Sequence, residues 1–335
     1  KFLKENPAMS DLQLTLAMGE YDHMRDLLDG TVRAEGIDLT VLRLPIEEMF
    51  YRFLRHREFD VSEVSFGKVV SLISQGDTSI VPIPVFPSRV FRHSSIYVRA
   101  DAGIANPAQL AGKRIGVPEW AQTAAVYSRG MLAHEYGVDL KSIHWHQGGV
   151  YEAGRAEKIK LNLPAGMRLT VVKDRSLSEM LRAGDLDAVL SARTLETAGD
   201  TRVRRLFADY RTVELAYWKK TGIFPIMHVV AMRREIYERD RWVAMNLLKA
   251  FEAAKQRSLA RVADITASFI PLPWTPDYAQ VSRELLGEDF WPYGLEGSRA
   301  TLEAFTQYAF EHGVCHRKVA VEELFPPEVQ SSYKV

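Results

Sequence analysis

The chain has 335 residues, 47% of them hydrophobic and 26% charged, the balance of an ordinary globular protein with room for two domains. Lysine and arginine total 43, as do aspartate and glutamate, so no global field draws the chain to nucleic acid or an acidic membrane. A single cysteine, Cys315, excludes an intrachain disulfide, and no apolar run reaches transmembrane length.

The opening residues, KFLKENPAMSD, lack the apolar core of a signal peptide. Met9-Ser10-Asp11 reads as a natural start, and a cytoplasmic protein is expected. Residues 12–17 alternate towards a strand, and Asp22 is placed to cap a short helix ending near Gly30. A strand over 36–42 leads to Pro45, after which Ile46, Met49, Phe50 and Phe53 share one helical face. Residues 60–65 form a strand ending in hydroxyls, 66–76 a helix with Ser65 as its cap, and 80–85 a further strand. This βαβαβαβ order predicts a mostly parallel sheet with helices on both faces. Ligands of such sheets gather beyond the carboxyl ends of the strands, which singles out Glu20, Tyr21, Ser62, Ser65, Arg89 and His93.

Segment 81–99, VPIPVFPSRVFRHSSIYVR, sets Arg89, Arg92 and His93 against an apolar strand. Cations beside a buried strand are costly unless an anion meets them, either a ligand or surface acids. In an extended chain residues 89, 91 and 93 share a face, so Arg89 and His93 are expected to look into a cleft and Arg92 away from it.

A second α/β series follows: a short helix over 106–110, a strand over 112–118, a helix over 119–137 and a strand at 144–146. A strand over 169–172, a helix over 177–183 and a strand over 187–190 complete it. Glu119, Trp120 and Thr123 sit where a strand gives way to a helix, a place that favours carboxylate caps and attracts anions. Glu119 reads as a cap or as a carboxylate facing a cleft, Trp120 as core or as an apolar wall of that cleft. His144 and His146 would point the same way in a strand, but zinc needs a third ligand and none stands at suitable spacing, so no metal is expected. A strand over 226–232 carries His228, expected as a core or inter-lobe residue, and helices over 241–261, 276–286 and 298–313 close the chain.

The stretches LAMGEYDHMRDLL, NPAQLAGKRIGVPEW and GDLDAV resemble the type II periplasmic-binding-protein fold. More narrowly, DVSEVSFGKVVSL (60–72), PVFPSRVFRHSSIYV (84–98), GVPEWAQTAAVYSRGML (116–132), WHQGGV (145–150) and GIFPIMHVVAMRR (222–234) resemble the 4,5-dihydroxyphthalate decarboxylase family. That resemblance implies an α/β fold of two lobes, each a doubly wound mixed sheet, with a ligand cleft between them. Residues 11–97 plus 218–335 would form the first lobe and residues 98–217 an inserted second one.

It also implies a cofactor-independent decarboxylation of a hydroxylated aromatic di-acid, of the 4,5-dihydroxyphthalate to protocatechuate type. The partner would be a small aromatic carboxylate, with no nucleic acid, no membrane, and a homo-oligomer left open. In that chemistry His93 is expected to handle the proton, with Glu119 as the other catalytic candidate, and Arg89 to hold the retained carboxylate. Glu20, Tyr21, Ser62, Ser65, Trp120 and Thr123 complete the expected substrate contacts. The alternative on the same fold is a non-catalytic solute-binding protein for an anionic aromatic or other small acid.

Overall fold

In the computed structural model, which describes residues 11–197 and 199–331, the strands sort into two sheets. The expected start at Met9-Ser10 lies outside the described residues. The first sheet takes β1 (Leu12–Met18), β2 (Ile37–Arg43), β3 (Val61–Ser65) and β4 (Ile80–Ile83) from the front of the chain. Helices α1 (Arg25–Leu28), α2 (Ile46–His56) and α3 (Phe66–Ser74) lie between them. The second sheet holds β5 (Ile96–Arg99), β6 (Arg114–Val117), β7 (His144–Gln147), β8 (Arg168–Val171), β9 (Ala188–Leu190) and β10 (Val203–Arg205). Its helices are α4 (Thr123–Tyr136) and α5 (Leu177–Ala183), and α6 (Tyr210–Thr221) follows β10.

The chain then returns to the first sheet as β11 (His228–Arg233), which enters between β3 and β4 to give the order β2-β1-β3-β11-β4. β11 runs antiparallel to both neighbours, whereas β1 is parallel to β2 and β3. The sheet is therefore mixed rather than mostly parallel. A strand arriving from another sheet is not bound by the crossover that makes consecutive strands parallel. The second sheet, in the order β10-β5-β9-β6-β7-β8, is mixed for a similar reason, with β5 antiparallel to β9 and β10. Strands of the first sheet come from 12–83 and 228–233, those of the second from 96–205. We propose two lobes, 11–97 with 218–335 and 98–217, whose crossings fall inside β5 and α6.

Helices α7 (Arg234–Arg239), α8 (Trp242–Ala263), α9 (Thr275–Leu286) and α10 (Arg299–Glu311) complete the described chain. α10 belongs to the last stretch of sequence yet packs on α3 and α4. Gly130 allows this: a Cβ there would lie 2.1 Å from the ring of Tyr308 on α10. Gly67 similarly lets α3 approach the turn before α4, where a Cβ would sit 2.8 Å from the Ala121 carbonyl.

Two expected caps are used otherwise. Asp22 accepts from Ser258 Oγ at 2.6 Å, and Tyr21 takes the cap position of its short 3-10 turn. Ser65 stands at the N-cap of α3 without bonding that helix's amides. Instead Thr123 Oγ1, from α4, accepts the Gly67 N–H at 3.0 Å and lies 3.1 Å from Ser65 Oγ. A hydroxyl from α4 thus satisfies an orphan amide in the first turn of α3.

Candidate active site

The strand ends converge on a cavity of about 340 Å³, within the range of small-molecule sites. Ser65, Lys68, Arg92 and His228 line it from the first-sheet side, with Ile46 and Phe50 of α2 as apolar wall. Glu119, Gln122 and Thr123 at the start of α4 face them, joined by Arg155, Lys158 and Arg193.

His228 is held by what lies behind it. It pairs across the ladder with Ser65, while Glu63 pairs with Val230, so Glu63 and His228 are diagonal neighbours on one face of β3 and β11. His228 Nδ1 lies 2.6 Å from Glu63 Oε1, which also accepts from Tyr21 Oη at 2.6 Å. Glu63 Oε2 accepts the Gly19 N–H at 2.9 Å. Glu63 is fully buried. Burial alone would raise its carboxyl, but the hydrogen bond and charge of His228, then the bonds from Tyr21 and Gly19, hold it below the usual carboxylate range. Burial, followed by the charge of Glu63, pushes the Tyr21 phenol up, so Tyr21 stays a neutral donor. With Nδ1 committed to Glu63, His228 presents Nε2 to the cavity, and the Phe50 ring meets the imidazole edge-on at 4.9 Å.

The charge of the cavity is lopsided. Five cations line it, Lys68, Arg92, Arg155, Lys158 and Arg193, against the two carboxylates Glu47 and Glu119. Glu119 is 1% exposed and surrounded: Arg155 Nε at 2.8 Å, Lys68 Nζ at 3.2 Å and Lys158 Nζ at 3.6 Å. Burial opposes its ionisation, yet these three cations hold it below the usual range. Glu47 accepts from Arg155 and Arg193 at 3.0 Å each. Arg92 differs from the other cations. Its guanidinium is buried and finds Met227 Sδ at 2.7 and 3.3 Å and Ser95 Oγ at 3.4 Å, all weak partners. Burial pushes it down to about 10, so it stays charged at neutral pH. Glu214 acts on it only at longer range and no carboxylate among the described residues forms an ion pair with it, so this buried guanidinium at the cavity wall has room for an anion.

Several sequence expectations are corrected here. His93 is fully buried away from the cavity, edge-on to Tyr217, Phe207 and Tyr136, with no partner for either ring nitrogen. Burial pushes it down to about 4, leaving it neutral and packed. Arg89 also lies outside the cavity. It donates to the Phe224 carbonyl at 3.0 Å and to the Pro292 carbonyl and Ser298 Oγ at 2.6 Å each, a structural clamp. Of the alternating residues Arg92 lines the cavity while Arg89 and His93 do not, so the cavity lies on the face opposite to the one expected; extended geometry ends at Arg92 (φ −125°, ψ 3°), where the 3-10 turn His93–Ser95 begins. Glu20 is an exposed partner of Arg43. Ser62 is buried, its hydroxyl donating to the Glu63 carbonyl. Trp120 is core: its indole donates to the His312 carbonyl at 2.7 Å and lies under Arg129. Tyr21 does not line the cavity but supports Glu63. Glu119 does line it, but as a carboxylate pinned by three cations, which opposes a proton-donor role. Ser65 and Thr123 line it. His144 and His146 lie on β7 outside it, and among the described residues no three potential ligands gather to hold a metal.

What sequence reasoning missed carried an unequal signal. Glu63 stands out as a charge inside the apolar strand VSEVS, affordable only with a buried partner. Arg155, Lys158 and Arg193 fall in stretches without regular structure, where no period marks a face.

These features define the class: a two-lobed, type II periplasmic-binding-protein-like fold whose inter-sheet cavity carries a carboxylate-backed histidine in a cationic field. Among solved structures, the aliphatic sulphonate binding protein SsuA of Escherichia coli matches with a TM-score of 0.53 at 14% identity, covering 96% of this chain and 99% of that one. The alkanesulfonate-binding protein SsuA of Xanthomonas axonopodis pv. citri matches with a TM-score of 0.50 at 14% identity, covering 95% and 99%. Such likeness shows the fold. No family model matches the chain. By sequence it is 38% identical over 330 residues to a 4,5-dihydroxyphthalate decarboxylase of Comamonas testosteroni, covering 98% of this chain and all of that protein. It is 40% identical over 209 residues to a Pseudomonas putida protein of the same description, covering 62% and 81%. The chain belongs to the 4,5-dihydroxyphthalate decarboxylase family.

The cytoplasmic placement is corrected. The Escherichia coli protein that shares this fold is described as periplasmic, so the fold lends the cytoplasm no support, and the cytoplasmic assignment is withdrawn.

Proposed function

We propose that this cavity removes one carboxylate from a hydroxylated aromatic di-acid, with His228 as the proton donor. By its family the chain is a carboxy-lyase, and 4,5-dihydroxyphthalate, which names its relatives, is the substrate type. The observation that carries the residue roles is His228, bonded at 2.6 Å to an ionised Glu63, on the wall of a cavity where five cations face two carboxylates.

Arg92 holds the retained carboxylate, and Arg155, Lys158 and Arg193 supply the field that draws in a dianion. Glu63 keeps the Nδ1 proton and stabilises the imidazolium, so the Nε2 proton is the one delivered. It goes to the ring carbon that bears the departing carboxylate. The hydroxyl para to that carbon feeds electron density into the ring as this bond forms. The carbon–carboxylate bond then breaks, its electron pair restores the aromatic ring, and carbon dioxide leaves. His228 ends neutral and regains its proton from water.

The test is carbon dioxide release from 4,5-dihydroxyphthalate by wild type and His228→Asn. Turnover should fall by roughly 10²–10⁴-fold, the usual contribution of a positioned general acid, with substrate binding retained. Wild-type turnover in His228→Asn would remove the histidine from the reaction.

A further inference from the structure

We infer that Gln122 reads the ring hydroxyls and so sets the preference for hydroxylated over plain aromatic di-acids. This rests on the cavity being the di-acid site. It follows from sorting the lining groups into donors and acceptors. The five cations only donate. Among the acceptors, Glu119 is taken by Lys68, Arg155 and Lys158 and Glu47 Oε1 by Arg155 and Arg193, while Glu47 Oε2, on a half-exposed side chain, and the Ser88 hydroxyl are left to solvent. Thr123 Oγ1 takes the Gly67 N–H and sits beside Ser65 Oγ.

Gln122 is the exception among the buried acceptors. Its Oε1 is buried and has no partner, and among the described residues no other side chain lining this cavity has a polar atom that is both buried and unpartnered. The residue occupies the N-cap position of α4, yet its side chain makes no capping bond there. A carboxylate brings only acceptors and cannot satisfy it. A phenol O–H is a donor of the right kind.

The experiment measures binding of 4,5-dihydroxyphthalate and of phthalate, which lacks hydroxyls, by calorimetry to wild type, Gln122→Met and Arg92→Ala. Wild type should bind the dihydroxy acid about tenfold or more tightly than phthalate. Gln122→Met, close in shape, should lose most of that ratio while binding phthalate within about twofold of wild type, which also reports that it is folded. Arg92→Ala should weaken both ligands together. An unchanged ratio in Gln122→Met, or an equal loss for both acids, overturns the inference and leaves the di-acid site standing. If wild type binds neither acid, the reading of the cavity fails and the inference with it.

Discussion

Replacing Glu63 by glutamine keeps the shape of the side chain and removes the charge 2.6 Å from His228 Nδ1. The carboxylate now accepts from three donors: His228, the Tyr21 hydroxyl at 2.6 Å and the Gly19 N–H at 2.9 Å. An amide has one oxygen for these three, and its own N–H₂ must turn towards another donor. Hydrogen bonds to a charged group contribute about 1.5–3 kcal/mol, which on the reaction barrier is roughly tenfold to hundredfold in rate. Glu63→Gln should therefore lower kcat by about that factor. KM should move less than about threefold, because Glu63 stands behind His228 and does not line the cavity. Tyr21→Phe removes one of the three bonds and leaves the charge, so its loss should be smaller, about two- to tenfold. The assay is initial-rate carbon dioxide release across substrate concentrations, with a thermal melt to confirm that each variant folds. A wild-type kcat in Glu63→Gln, or a change confined to KM, would refute the histidine–carboxylate couple.

Arg92→Ala should raise KM by roughly tenfold to a hundredfold, since a charged contact to the retained carboxylate is lost, and a variant with unaltered KM would count against Arg92 as the anion receptor. His93→Phe should leave kcat and KM close to wild type and keep or raise the melting temperature, because the ring is buried among aromatics with both nitrogens unpartnered. Abolished turnover in a folded His93→Phe protein would restore that histidine to the reaction. Glu63 and Glu119 both have carboxyls that burial would raise but that their donors and cations hold low. Their contribution to stability is fully present above the ordinary carboxylate range and is lost as pH falls through the lowered folded-state values. Melting temperature should thus drop as pH falls below about 4, and a flat profile between neutrality and pH 3 would contradict the ionised state of both.

Periodicity and punctuation in the chain determined the elements. The alternation in 12–18, the helical face of Ile46, Met49, Phe50 and Phe53, and the charged residue inside VSEVS are local patterns, set by which way successive side chains point. They also pointed to the strand ends, and Ser65, Glu119 and Thr123 reach the cavity there. Alternation separates Arg92 from Arg89 and His93 but does not say which face meets the cavity, and the tertiary structure turns the Arg92 face to it. Arg155 and Lys158 come from an irregular segment, and Glu63 meets His228 across 165 residues of chain. Contacts of that range exist only once β11 has returned between β3 and β4. The charge and acid–base character of the cavity therefore belong to the tertiary structure, because they arise from groups that are solvated and far apart until the two sheets assemble.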